Sequence, residues 1–86
     1  MEIKYVWCVK THIVNYCETI TDEVRLFNSL VDAISFFSEV VDEERRLATE
    51  KEWVIEYDDK YNFEAYEEGY YAHNHICINL FEIPIE

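Results

Sequence analysis

Eighty-six residues are enough for one domain around one core, and with half of them hydrophobic and 16% aromatic the chain is too apolar to stay disordered. Nineteen acids against seven bases leave a net charge of −12, which repels nucleic acid and anionic membranes and favours a basic partner surface. No apolar run approaches the ~20 residues that span a bilayer, and no basic-apolar leader is visible. Three cysteines without paired spacing (Cys8, Cys17 and Cys77) fit reduced thiols, so the expectation is a soluble cytoplasmic protein.

From Ile3 to Val9 the chain alternates. Ile3, Tyr5, Trp7 and Val9 lie on one side and Lys4, Val6, Cys8 and Lys10 on the other, which predicts a strand with an aromatic inner face. A second apolar run, His12 to Ile20, pairs with the first through a turn at Lys10–His12 or continues it past a bulge. Thr21–Glu23 reads as a polar connection and Val24–Phe27 as a short strand. Leu30, Ala33, Ile34, Phe37, Val40, Val41 and Leu47 then recur at helical spacing, predicting an amphipathic helix over about 29–47. Ser29 suits the N-cap, and Asp32 three residues on suits both a capping box and the positive helix end.

Beyond the helix, Trp53, Ile55 and Tyr57 alternate with Val54, Glu56 and Asp58, an inner and an outer side of one strand. Asp58–Lys60 forms a turn into a strand over Tyr61–Glu68, with Phe63 and Ala65 opposite Asn62, Glu64, Tyr66 and Glu68. A loop from Gly69 to Asn74 leads to the last strand, His75 to Ile83, which Pro84 ends. The whole is an α+β domain spanning 1–86, of order β(β)αβββ. A four- to five-stranded antiparallel sheet carries the helix on one face. The other face would expose Val6, Cys8, Cys77, Phe81 and Ile83. Either the sheet curls on itself or that side meets another protein, for which a two-fold homodimer is a natural form.

The acid is uneven. Residues 39–68 hold twelve acids against four bases, and the rest of the chain seven against three. On the predicted strands, Glu56 and Asp58 share an outward side with Glu64 and Glu68, repeating at about 6.7 Å. That spacing could engage a row of Lys and Arg side chains built to grip phosphates. Tyrosines interleave with the acid, and rings with a polar tip are frequent interface anchors. The candidate partner-binding residues are therefore Glu56, Asp58, Asp59, Glu64, Glu67 and Glu68 for charge, with Tyr70 and Tyr71 as anchors. His73, His75 and Cys77, at i, i+2 and i+4, form a minor metal-ligand alternative, with a Glu or Cys8 as fourth ligand. No phosphate loop, nucleophile elbow or His-Glu-x-x-His pair is present, so neither catalysis nor a cofactor is expected.

A short, acidic, tyrosine-rich chain with this 39–68 cluster resembles the small inhibitors that phages encode against bacterial defence nucleases, the anti-CRISPR and DNA-mimic anti-restriction proteins. The resemblance rests on composition and carries over no individual residue. It implies a non-catalytic inhibitor that occupies the basic DNA-binding cleft of a nuclease in a bacterial cytoplasm.

Overall fold

The computed structural model describes residues 4–15, 19–69 and 74–85. In chain order the elements are β1 (Lys4–Asn15), β2 (Thr19–Phe27), α1 (Leu30–Glu50), β3 (Val54–Asp58), β4 (Asn62–Tyr66) and β5 (His75–Ile85). The strands form one antiparallel sheet in the order β2-β1-β5-β4-β3, and α1 lies across one face. The α+β class and the helix-on-sheet arrangement expected from the sequence are therefore present. α1 is not long and apolar enough to cross a membrane.

Inward phase decides where each strand runs. Trp7, Val9, Thr11 and Ile13 keep one alternation through β1, so Lys10–His12 is mid-strand: of the two arrangements expected, the turn does not form and the run from His12 continues the first strand, without a bulge. β1 runs on to Asn15, which pairs with Thr19 at the start of β2, and Thr21–Glu23 is part of β2, not a connection. Pro84 does not end β5 either. Leu80 donates its N–H toward β4, to the Tyr61 carbonyl, and alternate residues repeat that direction. The nitrogen of Pro84 therefore points to the side that β4 leaves unpaired beyond Asn79, where a missing N–H breaks no ladder.

The helix begins as its sequence predicts. Ser29 has extended backbone, and its Oγ accepts from the Asp32 N–H at 3.4 Å. It runs three residues past Leu47, to Glu50, because Ala48 is still a buried position. The far end closes with two hydrogen bonds, Glu52 N–H to the Thr49 carbonyl and Trp53 N–H to the Ala48 carbonyl. This is the Schellman pattern, and it puts Glu52 at the left-handed position, φ 59.

Ala33, Phe37, Val41 and Ala48 of α1 pack on Val9, Phe63, Ala65, Ile76, Ile78 and Leu80. Ile34, expected in the buried stripe, is 42% exposed at its margin. Trp7, Ile13, Phe27, Phe36, Val40 and Trp53 rim the core.

Candidate protein-docking surfaces

One irregularity rearranges the predicted acidic row. Between Ile55 and Tyr57 the β3–β4 register shifts by a bulge, with Glu56 as the extra residue. Ile55 opposes Ala65 and Asp58 opposes Phe63, both on the helix side, whereas Tyr57 opposes Glu64 on the open side. Tyr57 is consequently not inward, being 53% exposed, and Asp58 and Glu64 lie on opposite faces of the sheet. The single outward row of Glu56, Asp58, Glu64 and Glu68 does not form.

Asp58 instead serves the fold. Arg45 grips it with two hydrogen bonds, Nε to Oδ2 at 2.7 Å and Nη2 to Oδ1 at 2.6 Å, while Nη1 donates to Asp42 at 2.7 Å. Those bonds hold the Asp58 carboxyl below the usual carboxylate range and push the Arg45 guanidinium up. Arg46 works similarly on the helix surface, donating to Glu43 at 2.8 Å and to Glu50 at 2.9 Å, and it holds Glu43 low. Burial, reinforced by the neighbouring Glu43 charge, pushes Glu44 up.

Asp59 also has a structural task. Its Oδ1 accepts from the backbone N–H groups of Tyr61 (2.9 Å) and Asn62 (2.8 Å), closing the β3–β4 turn. Glu64 meets His75 Nε2 at 2.9 Å, and Glu67 accepts from Asn74 at 3.2 Å. Glu56 and Glu68 are exposed, and no ion pair or hydrogen bond among the described residues engages either side chain. Tyr70, Tyr71 and His73 lie outside the described residues. On the open side, Tyr57, Asp59, Asn62, Glu64 and Asn79 line a cleft of about 290 Å³.

His75 and Cys77 do share the open face, as their spacing predicts. Their side chains are turned to other partners, His75 to Glu64 and Cys77 Sγ as donor to Asn79 at 3.4 Å. Burial, with the Glu64 charge behind it, raises the Cys77 thiol above its ordinary value, and burial raises Cys8 too. Among the described residues no three His, Cys, Asp or Glu side chains are placed to hold a metal ion.

What does persist is a division at the level of whole elements. The C-terminal half of α1, β3 and β4 (residues 39–69) contains twelve acids against four bases. The rest of the chain contains seven acids against three bases. Seven of the twelve, Glu52, Glu56, Asp58, Asp59, Glu64, Glu67 and Glu68, lie in the segment that holds β3, one edge of the sheet, and β4, its neighbour; the other five lie along α1, which packs on all five strands.

The opposite side of the sheet presents a different surface. On the face away from α1, Leu26, Cys8 and Phe81 stand in one cross-strand row, and Val6 and Ile83 stand in the next. Leu26 is 61% exposed and Phe81 40%, with Cys8 buried between them. Further along the same face, His12 stands between Asp22 of β2, 3.6 Å away, and Cys77 of β5. Sequence reading missed His12 because this neighbourhood depends on pairing between distant strands. No protein-family model, curated protein or solved structure matches this chain.

Proposed function

We propose that the protein is a non-catalytic inhibitor that lays its acidic side against a basic, nucleic-acid-binding surface of a larger protein. A nuclease of the CRISPR-associated or restriction type, in the cytoplasm of a bacterial host infected by a phage, is the partner class that the charge suits best. The observation that supports this reading is the division of charge along the chain, twelve acids and four bases in residues 39–69 against seven and three in the rest. Arg45 and Arg46 each bind two carboxylates, so they brace the acidic side without neutralising it. A braced array of charge steers encounter with a basic cleft and resists reorganisation on docking.

The fold also selects which acids to test. Asp58 and Asp59 hold the hairpin, whereas Glu56 and Glu68 engage no side-chain partner among the described residues and Glu67 accepts only from the Asn74 side chain, so these three are the carboxylates to reverse. Captured partners from a bacterial lysate should include a DNA-binding nuclease whose DNA cleavage the purified protein inhibits. Glu56→Lys/Glu67→Lys/Glu68→Lys should abolish that inhibition while the circular dichroism spectrum stays unchanged. Inhibition should also vanish in about 1 M salt, where the screening length falls to about 3 Å. Undiminished inhibition by the folded triple variant, or in high salt, would refute the reading.

A further inference from the structure

We propose that a second copy of this chain covers the open sheet face, over the apolar patch formed by Val6, Val24, Leu26, Phe81 and Ile83. Three of the five strands build this patch, Val6 from β1, Val24 and Leu26 from β2, and Phe81 and Ile83 from β5. The registers that pair Leu26 with Cys8, Cys8 with Phe81, and Val6 with Ile83 make it continuous. Four of its members are large apolar side chains exposed by 39% to 61%, on a molecule that has enough acid to have covered the area with charge. A contiguous apolar area of this kind marks a contact surface.

The distribution of charge identifies the occupant. A chain of net charge −12 repels its own copies over most of its surface. The patch lies on β2, β1 and β5, whose own residues include three acids and three bases, with Lys10 beside Val24 in the register. Like-charged copies can therefore approach there, and two-fold stacking over the patch turns the acidic β3–β4 sides away from each other. A basic partner would gain no steering from this nearly neutral area, and an anionic membrane is repelled by the rest of the molecule.

Sedimentation equilibrium of the full chain at micromolar concentration tests this proposal, and the sign of the salt effect keeps it separate from the inhibitor reading. The expected mass is twice that of the chain. Adding salt should strengthen the dimer, because screening removes repulsion between copies, whereas docking on a basic partner weakens with salt. Leu26→Glu and Phe81→Lys should each give a monomer. Val24→Lys, at a residue 54% exposed, provides a variant that cannot disturb the core. A wild-type monomer throughout the micromolar range would overturn the proposal. So would a dimer that survives all three substitutions, since the contact would then lie elsewhere, for instance at the free edge of β2. The triple Glu→Lys variant should remain dimeric, so loss of inhibition and loss of the dimer are read independently.

Discussion

Glu52 occupies a backbone conformation that a side chain disfavours. Its φ of 59 is the left-handed value that closes a Schellman motif, a position usually given to glycine because a β-carbon crowds the following carbonyl. Glu52→Gly should relieve that crowding, offset in part by the extra freedom of glycine in the unfolded chain, for a net gain of about 0.5 kcal/mol. In a domain of this size the melting temperature should rise by a few degrees, which scanning calorimetry would register. Asp58 carries a pH dependence of the opposite kind. Its carboxyl is held low by the Arg45 hydrogen bonds, so folding favours the ionised form. The contribution is complete above the unfolded value of about 3.9 and is lost as pH falls through the lower folded value. Asp58→Asn should flatten that part of the acid-unfolding curve. For so exposed a pair its cost near neutral pH should be no more than about 1 kcal/mol. Equal acid sensitivity in the two proteins would show that the Arg45–Asp58 bridge adds no stability.

Single strands and the helix were legible from periodicity because one face of each is buried. Phe63 and Ala65, Ile76, Ile78 and Leu80, and the stripe through Ala33, Phe37 and Val41 all enter the core that their spacing predicts. Faults in that reading fall where neighbouring chain, not local pattern, sets the phase. Ile55 and Tyr57 alternate perfectly in sequence, yet Glu56 bulges between them, and everything after it on β3 changes side. The predicted acidic row failed at Asp58 for that reason, and at Glu68 because β4 ends at Tyr66. The Arg45 clamp was equally hidden, since it joins residues thirteen apart on two elements. Because Ile55 already opposes Ala65 and Tyr57 already opposes Glu64, removing Glu56 would leave a regular ladder with the same partners. The deletion should therefore keep the Arg45–Asp58 bridge and cost less than about 1 kcal/mol by chemical denaturation. Loss of several kcal/mol would mean that the bulge itself shapes the edge of the sheet, as bulges can.

Across the domain, charge that suits a partner opposes compaction, and the two demands can be separated experimentally. Glu39, Glu56 and Glu68 are exposed and belong to no ion pair among the described residues, so each adds repulsion without an internal counterpart. Glu43 and Glu50 sit in the same region but share Arg46. Glu39→Gln/Glu56→Gln/Glu68→Gln should accordingly raise the melting temperature at low salt, with the gain shrinking as ionic strength rises and nearly gone when the screening length is about 3 Å. Glu43→Gln/Glu50→Gln should not raise it, because the substitution removes attraction to Arg46 together with repulsion. If the acidic side is a docking surface, the stabilised triple variant should inhibit its partner less well, the usual opposition between stability and function at a binding site. A variant that became both more stable and no poorer an inhibitor would assign those three carboxylates to solubility and move the contact to other parts of the β3–β4 side.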